Sequence, residues 1–266
     1  MRRSKIKSSN KKKSNKLTRR RLKLYASLKQ KKFRRINNLF IVEGPHLVQT
    51  AIESDWDIEE VIVKTEKTEF IRKLKLPEKI TSILKEAEFN RLSSSKSPQG
   101  VLAVVKIKHE NIDKLISKAR KVVVADNISD PGNLGTLIRS AAAFGFDLVT
   151  CVGDCAEIYN PKTVRATQGT IFTIPICELN SPKDFIKKFA KRFKVTVISP
   201  RAKMSLWQAP KISRLALILG NEITGISPLI SAKADFKFKI DQTNRVESLN
   251  VAVAGSIAMY KFARVK

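Results

Sequence analysis

Asn133, Arg139, Glu222, Ser248 and Asn250 are the residues whose types and placement suit chemistry, because each follows a hydrophobic run at or just past a turn. Amides, a hydroxyl and a carboxylate can hold a polar ligand, and helix propensity alone does not explain Arg139. Taken singly, a solvated arginine and an ordinary helix-start glutamate would account for Arg139 and Glu222. The set excludes several chemistries. His46 and His109 are isolated, and Cys151, Cys155 and Cys177 are odd in number without zinc-site spacing, so metal catalysis is not expected. No Ser–His–acid arrangement is available. The glycines make neither a phosphate-binding loop followed by Lys-Ser/Thr nor a GxGxxG dinucleotide turn.

The elements that must position these residues follow from the hydrophobic pattern. A strand over 121–125 ends in Asp130-Pro131-Gly132-Asn133, where Asn133 is expected to cap a helix from about Leu134. Further strands are expected over 148–152, 171–174, 194–199, 215–219 and 236–240, with helices over 162–167, 182–192 and 249–263. These strands are near-continuous Val, Ile and Leu, the pattern of a parallel sheet covered on both faces, whose ligand sites lie at the strand C-terminal ends. Ser248 is the expected N-cap of the last helix, with Asn250 in its first turn. Ala252, Gly255, Ser256 and Met259 give that helix a small-residue face, which intrachain packing or a dimer contact would explain equally well. Before this unit, short strands alternate with short helices over 21–107, a smaller α/β domain, and 108–120 is a linker with a helix.

Charge narrows the partners. The 266-residue chain carries 52 Lys+Arg against 24 Asp+Glu, and its first 35 residues hold 17 of those basic residues and no acidic one. Residues 1–20 are therefore expected to be a disordered basic tail. The remainder is still basic, so nucleic acid outranks an acidic protein or a membrane surface. Lys29, Lys31, Lys32, Arg34 and Arg35 suit phosphate contact, although plain solvation would account for each alone. No secretory signal or membrane-length apolar run is evident, and a reducing, cytoplasmic location is expected; an organellar transit segment is the alternative reading of the acid-free start. Composition and pattern thus lead to a basic α/β protein, either a nucleic-acid enzyme or a binding module.

Three motifs go further. Asn127, Asp130-Pro131-Gly132-Asn133-Leu134-Gly135, Arg139 and Phe144-Gly145 form the first; Leu217-Ile218-Leu219-Gly220-Asn221-Glu222 with Gly225 the second; Val246-Glu247-Ser248-Leu249-Asn250-Val251 the third. In that order and spacing the chain resembles the SpoU/TrmH family of RNA 2′-O-ribose methyltransferases, over nearly all of residues 121–266. The stretches Phe40-Ile41-Val42-Glu43-Gly44 and Ser97-Pro98-Gln99-Gly100 are similar to the L30e-like substrate-binding domain often fused to such enzymes. Two departures stand out: Ile240-Asp241-Gln242-Thr243-Asn244 replaces the family's Ile-Pro-Met-x-Gly, and Ile223 stands where a glycine commonly follows the glutamate. Asn244 tolerates a left-handed conformation better than most replacements for glycine.

The resemblance implies a trefoil-knotted parallel-sheet domain of the SPOUT type, with S-adenosylmethionine held near Leu219, Gly220, Asn221, Ile240, Ser248, Leu249 and Asn250. It implies catalysis through Arg139, as general base or as clamp for the phosphate and developing oxyanion. Glu222 and Asn133 would orient Arg139 or the ribose, while Ser248 and Asn250 shape the loops. Arginine normally titrates above about 12, which favours the clamp. Lys162 and Arg165 lie in a segment resembling one near the family's RNA site. Ribosomal RNA, especially of the large subunit, is the implied substrate and a homodimer through the terminal helix the implied assembly. Transfer RNA is the nearer alternative substrate, and a non-catalytic ribosomal RNA assembly factor the more distant one.

Overall fold

The computed structural model describes residues 17–243 and 245–263. Residues 1–16 of the expected tail and the left-handed role given to Asn244 lie outside the described residues. The folded part starts earlier than expected: Leu17 is buried, and Thr18 caps α1 (Arg19–Ser27) by accepting from the Arg21 N–H at 3.3 Å. After α2 (Lys31–Asn37) come β1 (Leu39–Glu43), α3 (Pro45–Glu53), β2 (Ile58–Lys64), α4 (Thr68–Lys73), β3 (Thr81–Leu84), α5 (Glu86–Leu92) and β4 (Val101–Lys106). Their strands form a four-stranded sheet in the order β1-β4-β2-β3, with β4 antiparallel to both neighbours and β2 parallel to β3.

Alternation along these strands gives the sheet two apolar faces. Ile41, Ile62, Leu102 and Val104 pack with Tyr25, Leu28 and Phe89 beneath α1 and α5. Phe40, Val42, Val61, Ala103 and Val105 face the other way and share one core with the C-terminal half.

The C-terminal half follows α6 (Ile112–Lys118). It contains β5 (Lys121–Asp126), α7 (Pro131–Ala143), β6 (Leu148–Val152), α8 (Pro161–Ala166), β7 (Ile176–Leu179), α9 (Pro182–Phe189), β8 (Lys194–Ile198), β9 (Met204–Ser205), β10 (Leu215–Gly220), α10 (Pro228–Ala232), β11 (Phe236–Lys239) and α11 (Val251–Lys261). Its seven strands are ordered β7-β6-β5-β10-β8-β11-β9, and every pairing is parallel. All six residues of β5 are buried, as a central strand covered on both faces must be. The reversal of strand order falls beside β5 and β10, so their carboxyl ends open onto a natural ligand crevice.

The strand expected over 171–174 is instead a 3-10 turn, Thr170–Phe172, and the edge strand starts at Ile176. Gly169 enters with φ 93°, and the Thr170 and Thr173 hydroxyls bond back to the carbonyls of Thr167 and Thr170 at 2.7 and 3.0 Å. These local bonds compete with a sheet ladder. The turn places Phe172 in an aromatic cluster with Phe40, Trp56 and Tyr159, at ring separations of 4.7 to 6.4 Å, across the seam between the halves.

Candidate functional site

Three loops, leaving β5, β10 and β11, meet beyond the carboxyl edge of the seven-stranded sheet. The first begins α7, and here the expected cap is corrected: Asp130 caps the helix, accepting from the Asn133 N–H at 2.8 Å. Pro131 occupies the first helical position, where its missing N–H costs nothing. The Asn133 side chain is thereby released from capping and points across to the other loops. Its Nδ2 donates to Glu222 Oε1, and its Oδ1 accepts from Asn250 Nδ2 at 3.0 Å. A carboxylate can only accept, so Asn133 must turn its amino group to Glu222 and its carbonyl to Asn250.

The third loop carries a matching correction. Asn250, not Ser248, caps the last helix, accepting from the Ala252 and Val253 N–H groups at 2.9 and 3.2 Å. One amide therefore closes α11 with its oxygen and binds Asn133 with its nitrogen. The relay Glu222–Asn133–Asn250 ties together residues 89 and 117 positions apart in the chain.

A second layer fixes the middle loop; it joins Asn127 and Asn221 of the first two motifs to Asp126, to which the sequence reading gave no role. The carboxylate of Asp126, fully buried at the end of β5, accepts from the Ser227 N–H at 2.6 Å, its hydroxyl at 2.7 Å and Asn127 Nδ2 at 2.9 Å. Asn127, left-handed at φ 56°, offers its carbonyl to Asn221 Nδ2 at 2.9 Å. Asn221 Oδ1 then accepts from the N–H groups of Ile223 and Thr224 at 2.8 and 3.0 Å, which curls the turn after β10. Gly220 is required beneath that turn: a Cβ there would come within 2.6 Å of Gly225 backbone atoms. The detectable signal was an acidic residue ending an otherwise apolar strand, followed by Asn127.

Beside the relay opens a cavity of about 660 Å³, within the range of cofactor sites. Leu219, Gly220, Asn221, Ile240, Ser248, Leu249 and Asn250 all line it, together with Glu222 and Gln242. Val197, Ile198, Val251 and Ala254 add apolar wall. Such a mixture suits a flat heteroaromatic ring held between aliphatic side chains, with its polar edge and tail met by loop backbone and amides. Among the described residues no group of three or more His, Cys, Asp or Glu could hold a metal ion.

The remaining sequence candidates divide. Arg139 lies on the exposed side of α7, six residues beyond Asn133; it does not line the cavity, and no described residue holds its guanidinium. Ser248 is exposed at the cavity wall and outside the relay. Lys29, Lys31, Lys32, Arg35 and Arg165 are exposed. Lys162 is exposed and paired with Asp130 at 3.0 Å. The bond from the Asn133 N–H and the Lys162 ammonium hold the Asp130 carboxyl below its ordinary range.

Arg34 is a correction. Only 2% exposed, it forms an ion pair with Glu157 through two nitrogens, while Nη1 donates to the carbonyls of Leu28 and Lys29 at 2.7 and 2.8 Å. Such a side chain has no free face for a phosphate. The small-residue face of α11 also resolves: a Cβ at Gly255 would come within 2.6 Å of Leu137 and Leu219, so intrachain packing accounts for it. The outward face, with Val253, Ile257 and Tyr260, is exposed.

Comparison with known proteins places this geometry. The sequence profile of the SpoU rRNA Methylase family matches residues 120–260, and that of the MRM3-like substrate binding domain matches residues 19–103. The chain is 33% identical over 245 residues to the 23S rRNA (guanosine(2553)-2′-O)-methyltransferase RlmP of Bacillus subtilis, covering 90% of this chain and 94% of that protein. It is 26% identical to a 23S rRNA (uridine(2479)-2′-O)-methyltransferase of Streptomyces viridochromogenes, over 85% of this chain and 82% of that one. Among solved structures, the AdoMet-bound rRNA methyltransferase of Sinorhizobium meliloti superposes with a TM-score of 0.81 at 27% identity, covering 92% of this chain and 95% of that one.

Proposed function

The chain belongs to the SpoU rRNA methylase family, and from that premise we propose that it transfers the methyl group of S-adenosylmethionine to a ribose 2′-hydroxyl of large-subunit ribosomal RNA. The observation that carries this reading is the Glu222–Asn133–Asn250 relay at the rim of the 660 Å³ cavity. That the Bacillus and Streptomyces relatives are 23S rRNA methyltransferases supports ribosomal over transfer RNA. Ile198, Leu219, Ile240 and Leu249 would enclose the donor's adenine, with loop backbone from Leu219 to Asn221 meeting its polar edge. When bound, the donor supplies an electrophilic methyl group on a sulfonium. The trefoil knot belongs to the same reading.

The chain's own contribution is alignment and charge. Glu222 is held from behind through one oxygen, which leaves the other to accept the hydrogen bond of the ribose hydroxyl and fix its direction of attack. Holding reactants in line supplies a large share of a transfer rate. Arg139, exposed and unheld among the described residues, clamps the phosphate beside the reacting ribose and the charge growing on its oxygen. A clamp needs only the donors that a guanidinium always has. Lys29, Lys31, Lys32, Arg35 and Arg165 bind backbone phosphates, which positions the RNA without reading its bases. We assign the exposed face of α11, with Val253, Ile257 and Tyr260, to a homodimer contact.

Calorimetry with S-adenosylmethionine and mapping of 2′-O-methyl groups in ribosomal and transfer RNA, from cells with and without the gene, test the reading. Donor binding and one lost methyl group in large-subunit RNA are expected. Loss confined to transfer RNA would reassign the substrate. Absence of donor binding would leave an RNA-binding assembly factor.

A further inference from the structure

Trp207 is 74% exposed, more than any other Trp, Tyr or Phe among the described residues. Isolated exposed aromatics are common, so exposure alone carries little. Its setting carries more. The 3-10 turn Leu206–Gln208 that bears it is closed at its start by a capping box. Ser205 Oγ accepts from the Trp207 N–H at 3.1 Å, and Gln208 Oε1 accepts from the Ser205 N–H at 3.1 Å. Leu206 roots the turn in the core at 4% exposure. Lys261, at the end of α11, donates to the Trp207 carbonyl at 2.9 Å and lies over its ring, 5.7 Å from the centroid. The backbone beneath the indole is thus fixed while the ring stays in solvent.

The surroundings are cationic. Arg201, Lys203 and Lys211 are exposed on the same connection, and residues 199–214 contain no acidic residue. The carboxylate that approaches, Asp241, accepts from the Ser205 hydroxyl. That bond ties the turn to the segment whose Ile240 and Gln242 line the large cavity, and Arg201 and Ala202 line it from the connection itself. A fixed aromatic ring, a cation on it and further cations around it complement a polyanion that also carries flat π faces. An apolar protein surface would leave those cations desolvated and unpaired.

We propose that Trp207 is a stacking platform for an unpaired RNA base close to the nucleotide presented to the cavity, with Lys261, Arg201 and Lys203 holding the adjoining phosphates. This rests on the RNA-methylating role proposed above and names a recognition element for it. Substrate RNA is then engaged as a locally single-stranded segment on this side, because a base within a helix has both faces covered by its stacked neighbours.

The chain's two tryptophans make the test direct. In a Trp56→Phe protein, Trp207 is the sole fluorescent indole, and titration with a ten-nucleotide oligoadenylate is expected to quench it. Inorganic polyphosphate is expected to bind without quenching. Trp207→Ala is expected to weaken oligoadenylate binding about 5- to 100-fold, the range for one base–aromatic stack. Polyphosphate binding and S-adenosylmethionine affinity should stay unchanged, and Trp207→Phe should retain most of the RNA affinity. If Trp56→Phe does not fold, the difference in quenching between the native protein and Trp207→Phe gives the same reading. RNA binding without quenching, or equal weakening for polyphosphate, would overturn the platform. So would indole emission that changes with protein concentration alone, since a second copy would then be covering the ring. Failure of the methyl-transfer reading shows separately, as no heat on adding S-adenosylmethionine.

Discussion

Two arginines that the sequence nominated for work on RNA, Arg34 as a phosphate contact and Arg139 in catalysis, lie in regions of opposite character. At the seam between the two halves, Arg34 is buried, pairs with Glu157 and saturates two carbonyls. Aromatic rings from both halves pack along the same seam. On α7, six residues past the Asn133 of a relay that spends only part of its hydrogen-bonding capacity, Arg139 is exposed and unheld among the described residues. A saturated, dry cation maintains architecture, because removing it strands a buried charge. A solvated cation with free donors is available to a ligand. Burial and residual capacity, rather than residue type, separate the two.

The largest effect is expected at the seam. Arg34→Ala leaves Glu157 buried without its partner and should cost about 3–5 kcal/mol, read as a lower denaturation midpoint. Replacing both residues, Arg34→Met with Glu157→Leu, should recover much of that loss. Weakened RNA binding at unchanged stability would break the contrast by making Arg34 a phosphate contact after all.

Next comes Arg139→Ala, for which kcat should fall roughly 10²- to 10³-fold, as when one charge-stabilising donor is lost. Its melting temperature and donor affinity should match the native protein. Asn133→Ala sharpens the same side: Glu222 loses its tether to Asn250, and kcat should fall on the order of tenfold, the value of a hydrogen bond to a charged group.

The smallest effect concerns pH. The carboxyl of Asp130 is held below its ordinary value in the folded protein by the Asn133 N–H and Lys162. Its stabilising contribution is therefore full above the unfolded carboxyl's value of about 4 and is lost as pH falls through the lower folded value. Asp130→Asn should keep the cap and lose that part of the acid sensitivity, seen as a small narrowing of the difference between denaturation curves at pH 3 and pH 7 because solvent screens the half-exposed carboxylate.

The central strands were legible because burial on both faces imposes runs such as Val122-Val123-Val124 and Leu217-Ile218-Leu219. So were the loops that build the cavity, since all seven residues expected to hold the cofactor line one space. Helix caps were misplaced by two or three residues. Asp130 and Asn133, or Ser248 and Asn250, each satisfy the local rule for a cap, and only the cross-loop partners select between them. Arg34 was illegible for a related reason: Glu157 lies 123 positions away, and nothing near Arg34 marks it as paired. Asp126 escaped notice because its partner Ser227 is 101 residues distant.

The proposed reaction sets a methyl donor, held by three strand-end loops, against a ribose which Arg139 clamps. Its most direct measurement is transfer from methyl-labelled S-adenosylmethionine to large-subunit ribosomal RNA, by native protein and by Arg139→Ala, followed by digestion to nucleosides. Label is expected in a single 2′-O-methylnucleoside for the native protein, and almost none for the variant despite unchanged donor affinity. Label on a base, or equal labelling by both proteins, would contradict it.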